Sequence, residues 1–212
     1  MSVIKNLFLI TVSPQLGWDD INKSGHTTRT VLQGGMFPML AVLALVSFVP
    51  MLYEEDWTMS RCVIHAIAEL SSFIAALYIV SFLLGGFFSE LSKSHSSTIR
   101  MNNYIAYNLM FLVFIEILNN SMAYLFPPLL FLYLYLPVIA SKGVEYLGVT
   151  GEKRIWRVVL TASALMLAIC AWKWHRSSAF ALSRETMRSI PATWTAPPWS
   201  ASAALITIAV RR

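Results

Sequence analysis

The sequence predicts an all-α polytopic transmembrane bundle of five helices, preceded by a short interfacial N-terminal helix. Three observations carry that reading. Apolar residues make up 57% of the 212 and charged residues only 13%, about half the ~25% of an ordinary soluble domain. Mean hydropathy is +0.61. The apolar residues also gather into runs long enough to cross a bilayer, with short polar loops between them. A soluble chain this poor in charge could not cover its own surface, and a disordered chain would carry far less apolar content. Two Cys exclude a disulfide scaffold, and nine Gly with nine Pro exclude a collagen-like or low-complexity chain.

Residues 1–34 read as a cytoplasmic N-terminal segment. Leu7 to Val12 is apolar, but six residues are short for a signal-peptide core, and no small-residue cleavage site follows. Ser13 then Pro14 is a helix start, a capping hydroxyl followed by proline at the first helical position, where its missing N–H costs nothing. Trp18 and Ile21 lie three residues apart and share a face, which lays this short helix in the headgroup region.

Residues 35–172 form the membrane domain. Spanning hydrocarbon takes about 20 mostly apolar residues, and five stretches qualify: about 35–53, 62–88, 104–122, 123–141 and 155–172. Backbone amides in lipid must be satisfied within the segment, so each is expected to be helical. Only Asn119, Asn120 and Ser121 separate the third span from the fourth, which predicts a tight helical hairpin. Tyr53 and Trp57 close the first span, and Trp156 and Trp172 bracket the fifth, as interfacial aromatics do. Pro38 and Pro50 flank the first span, while Pro127, Pro128 and Pro137 predict a kinked fourth helix.

Orientation follows from Lys and Arg in the short loops. Lys5, Lys23, Arg29, Lys93, Arg100, Lys142, Lys153 and Arg154 fall on one side and Arg61 on the other, which puts the N-terminus in the cytoplasm. The net charge of +5 belongs to the last 40 residues, where six Lys/Arg face Glu185 alone, so it predicts no nucleic-acid binding by the body of the protein. Residues 173–212 show no helical stripe, and their last apolar run is too short to span; they read as a disordered or non-native tail.

Pro14-x-x-x-Trp18-x-x-Ile21, in a short segment ahead of five closely spaced spans, resembles the bacterial branch of the Yip family, small membrane proteins whose eukaryotic relatives associate with Rab GTPases. The resemblance covers roughly residues 7–172. It implies a five-helix domain of the bacterial inner membrane, a cytoplasmic N-terminus and no catalytic residues. The eukaryotic-type Asp-Leu-x-Gly-Pro motif is absent, so GTPase binding is not carried over.

Polar groups inside the spans are the candidate sites. A mid-helix carboxylate costs about 2.5–3.5 kcal/mol on the insertion scale. Nine Leu, Ile, Val and Phe residues between Ile105 and Leu118 return roughly 3–5 kcal/mol on the same scale. Glu116 is thus tolerable, facing protein or water rather than lipid. Asn119 and Asn120 at i+3 and i+4, with Asn108 two turns back, give it a polar ridge that predicts hydrogen-bonded interhelical glue or an ion or proton site. In the second span His65 and Glu69 are i, i+4 partners, which predicts a local hydrogen bond. Cys62 shares their face but lies about 10 Å from Glu69 along the axis, too far for one metal ion. Ala68, Ser72 and Ala76, at four-residue spacing, predict close helix packing. Cys62 and Cys170 both fall near the outer face and are expected as two free buried thiols.

No phosphate loop, dinucleotide fingerprint, nucleophile elbow or metalloprotease motif is present. The expected function is a Yip-like integral membrane protein without catalytic activity, cofactor or metal. It would act through the bilayer, membrane-protein partners or a homo-oligomer. The alternative is a small transporter or channel subunit using Glu116 and Glu69 as an ion or proton site.

Overall fold

The computed structural model describes residues 3–53, 57–88, 94–121, 126–149 and 155–164, with side chains omitted for 126–130. Every regular element among them is helical. The tail 173–212, Cys170, Trp172 and the basic residues Lys93, Lys153 and Arg154 lie outside the described residues, as do the four residues that follow Ser121.

Helices α1 (Val3–Val12) and α2 (Pro14–Ser24) meet at a sharp bend. Pro14 lacks the N–H that would continue the α1 ladder, and Ser13, just before it, takes φ −142° and ψ 89°, off the helical region. Ser13 stands at the N-cap position but its hydroxyl makes no capping bond, so the bend is set by the proline. The bend folds Gly17 onto the Ile10 backbone, where a Cβ would come within 2.6 Å of the Ile10 nitrogen. Gly25, at φ 58°, ends α2 in the left-handed conformation that suits glycine.

Among the described residues three helices are long and apolar enough to cross a membrane: Thr28–Leu52, Met59–Phe87 and His95–Ser121. The first is built from α3 (Thr28–Val31), a π-turn (Leu32–Met36), α4 (Phe37–Val46) and a 3₁₀ turn (Val49–Leu52). Pro38 explains the π-turn. It can neither donate to the carbonyl four residues back nor fit its ring against it, and widening the preceding turn makes room. The N–H of Phe37 accordingly bonds to the Leu32 carbonyl, five residues back.

Helix α5 (Met59–Phe87) is the second long helix and α6 (His95–Ser121) the third. Both α6 and the first span begin earlier than hydropathy alone places them, because polar first turns are helical when capped. Ser94 and Ser97 cap α6 reciprocally, each side-chain oxygen accepting the other's backbone N–H. Helix α6 is the axis of the bundle: 78% of its apolar window is buried, against 33% and 28% for the other two long helices. It packs against α3, α4, α5 and α7 (Phe126–Gly143) and touches α1. That central place explains how it carries Asn103 and Asn108, both fully buried, within a membrane-length segment. A short apolar helix, α8 (Ile155–Ala164), occupies the start of the fifth predicted span.

Two expectations change. The α2 face carrying Trp18 and Ile21 is turned onto protein rather than headgroups, both side chains being 3% exposed or less. The buried stripe of α5 is Cys62, Ala66, Glu69, Phe73, Ala76, Val80 and Leu84, so of the expected packing face only Ala76 belongs to it, and Ala68 and Ser72 do not. Ala68 is exposed, and Ser72 turns its hydroxyl back to the Ala68 carbonyl at 2.6 Å. From Cys62 to Val80 the spacings alternate between four and three residues, which keeps one seam facing the neighbouring helices, and a uniform step of four drifts off it.

Candidate functional site

Glu69 is the polar centre of the membrane-length helices. It is 1% exposed and projects from α5 toward the first span and α6. The amide of Asn120 donates to both carboxyl oxygens, at 3.2 and 3.0 Å. The Ser47 hydroxyl lies 2.7 Å from one of them and 2.8 Å from its own i−4 carbonyl, on Leu43. A hydroxyl has one hydrogen, and the Leu43 carbonyl can only accept. The Ser47 hydrogen is thus placed between the Leu43 carbonyl and the Glu69 carboxyl.

His65 stands one turn away, its Nδ1 3.8 Å from the Glu69 carboxyl. That is too long for the hydrogen bond expected of the i, i+4 pair. The imidazole side chain is 30% exposed and edge-on to the Trp57 ring, with centroids 5.3 Å apart, and the Arg61 guanidinium sits 5.7 Å over the same ring. Trp57, Arg61 and His65 thus form a partly open cap above the buried carboxyl. The Tyr53 hydroxyl donates to the Asn120 carbonyl at 3.1 Å, tying the end of the first span to the end of α6.

The ridge predicted around Glu116 divides in the fold. Glu116 is buried and accepts from the Tyr133 hydroxyl of α7 at 3.0 Å. Asn120 gives its amide hydrogens to Glu69. Asn108 turns its amide to the Tyr104 carbonyl of its own helix at 2.8 Å, and Asn119 is only half-buried. Sequence reading missed Ser47, Tyr53 and Tyr133 as partners. Ser47 had a usable signal, as the lone hydroxyl between Gly35 and Tyr53 apart from the latter's own. Among the described residues no group of His, Cys, Asp and Glu could hold a metal ion, and Cys62 is a free, buried thiol.

A second polar and aromatic cluster sits at the other end of α6. Trp18 stacks on Tyr104 and Tyr146, with centroids 5.5 and 5.6 Å away, and meets Tyr107 edge-on at 6.0 Å. Its indole N–H donates to the Ile139 carbonyl at 3.0 Å. Tyr104 donates to the Ala140 carbonyl at 3.0 Å, one of the last-turn carbonyls of α7 that the helix leaves unpaired. Asn103 donates to the His26 carbonyl at 2.7 Å and to the Tyr146 hydroxyl at 3.3 Å. Gly143 makes this packing fit, since a Cβ there would come within 2.6 Å of the Trp18 ring and 2.7 Å of Tyr104. Burial pushes the Tyr146 phenol above its ordinary value, with the Asn103 bond and the Arg100 charge acting against it. Pro14 thus sets the bend between α1 and α2, and Trp18, with Ile21 buried on the same face, docks α2 on α6 and α7.

Compared with known proteins, the chain matches no family model, no curated protein and no solved structure.

Proposed function

We propose that this chain is a non-catalytic integral membrane protein of the Yip-like class, acting through protein partners or by organising the membrane. The observation that carries the reading is how its in-span polar groups are used. Glu69, Ser47, Asn120, Glu116 and Tyr133 bond between helices, the pattern of groups that hold a bundle together. In this reading the segments that contain α7 and α8 are the fourth and fifth of five spans, with the N-terminus in the cytoplasm of a bacterial cell. Three membrane-length apolar helices support the membrane part of it.

A second reading, an ion or proton site, is favoured by one feature: His65, partly exposed, stands 3.8 Å from the buried carboxyl of Glu69. Purified protein in vesicles loaded with a pH-sensitive dye separates the two. Under the first reading, wild type dissipates a proton gradient no faster than protein-free vesicles, and Glu69→Gln and Glu116→Gln change nothing. Flux that is present in wild type and lost in either variant establishes the second. Cysteine-accessibility mapping tests the topology, and labelling of the 142–154 loop only from outside overturns it.

A further inference from the structure

We infer that α1, rather than α2, is the interfacial helix, and that its outer ridge of Ile4, Phe8 and Val12 lies in lipid at the boundary between headgroups and acyl chains. The inference rests on the reading of the chain as a membrane protein. The ridge follows from spacing: residues four apart stack along one side of a helix. Ile4 is 52% exposed, Phe8 70% and Val12 65%, while Val3, Asn6, Leu7 and Ile10 on the opposite side are buried. Leu16, just past the bend, is a further exposed apolar side chain.

Packing sets the depth. A Cβ on Gly35 would meet Val3 at 2.5 Å and the Met110 sulfur at 2.7 Å, so all three residues converge on one point. Gly35 lies seven residues inside the helix that begins at Thr28, and Met110 is near the middle of α6. Seven residues are about 10 Å of helix, which puts this point beyond the first turns of both spans. An element seated there on its inner side cannot present its outer side to bulk water at the same level. The ridge is also exposed to the same degree as outward side chains of the long helices such as Ile64 at 68%, Ile67 at 61% and Ile79 at 51%. At ten residues α1 is too short to span, so span-length criteria pass over it.

The test uses full-length protein on a Cys62→Ala, Cys170→Ala background, reconstituted in phosphatidylcholine vesicles. Single cysteines at Phe8→Cys, Leu45→Cys and Asp19→Cys carry an environment-sensitive fluorophore. All three sites are exposed, so labelling leaves the core intact. The expected result is blue-shifted emission at position 8, lost to nitroxides on the upper acyl chain and unaffected by iodide, as at position 45 and opposite to position 19. Iodide quenching at position 8 with lipid quenching at position 45 overturns the inference while leaving the membrane reading standing. Protection of position 8 from both quenchers also overturns it, and Phe8→Cys crosslinking between chains then identifies a second copy as the cover. Failure of lipid quenching at position 45 instead removes the membrane reading itself.

Discussion

Asn120 and Glu69, 51 positions apart in the chain, meet through an amide donating to both oxygens of a carboxyl, the shorter bond being 3.0 Å. With Ser47 at 2.7 Å on the same carboxyl, the contact ties three membrane-length helices at one level. In a membrane the helices gain little from apolar burial against one another, so such ties and close packing set their arrangement.

Glu69 should therefore tolerate loss of charge better than loss of hydrogen bonding. Glu69→Gln keeps an acceptor for Asn120 and supplies a donor for Ser47. Glu69→Ala leaves both partners buried without it, which costs about 1–3 kcal/mol. Unfolding in mixed detergent micelles should place the Gln variant near wild type and the Ala variant well below it. Equal losses would mean that charge, not hydrogen bonding, sustains the contact.

The tie between α6 and α7 is weaker and should behave additively with the first. Tyr133→Phe removes the donor to Glu116 and should cost about 0.6 kcal/mol, the average for an interhelical bond in a membrane protein. Combined with Glu69→Ala, the losses should sum, because the two contacts share no partner among the bonds described. A double-mutant cycle measures this, and a large coupling energy would merge the two sites into one network.

Docking of α2 depends on the absence of a side chain at Gly143. Gly143→Ala puts a methyl within 2.6 Å of the Trp18 ring, and overpacking of this kind costs about 1–3 kcal/mol. The expected consequence is faster tryptic cleavage at Lys23 and Arg29, with the long helices still resistant. Trp18→Ala in the Gly143→Ala background should cost less than Trp18→Ala alone, since the clash has gone.

Tyr146 gives the docked end an alkaline limit. Burial holds its phenol above the ordinary value, which is about 10, so folding favours the protonated form. Its contribution is full below that ordinary value and is lost as pH rises through the higher folded-state value. Thermal stability should fall on the alkaline side, and Tyr146→Phe should flatten that fall. An unchanged slope would assign the alkaline loss to other groups.

The legible part of this protein is what can be summed along the chain. Low charge and long apolar runs led to an all-helical reading, and three of those runs are membrane-length helices. Pro14, Trp18 and Ile21 were identified as a helix start and a shared face because both are local properties of spacing. Glu69 and Glu116 stood out as carboxylates in greasy surroundings, and both are buried.

Partner choice was not legible, because it depends on how far each helix is rotated and at what level it meets its neighbours. Asn120 lies four residues from Glu116 yet bonds to Glu69 on another helix, and the face of Trp18 and Ile21 met tyrosines rather than headgroups. An amphipathic pattern states that a face avoids water; it does not state whether lipid or protein receives it. By itself the sequence determined the helical class, the membrane as solvent and which polar groups must be sheltered. Tertiary structure alone decided what shelters them, since hydrogen-bond partners and packing contacts are fixed by distances between helices far apart in the chain.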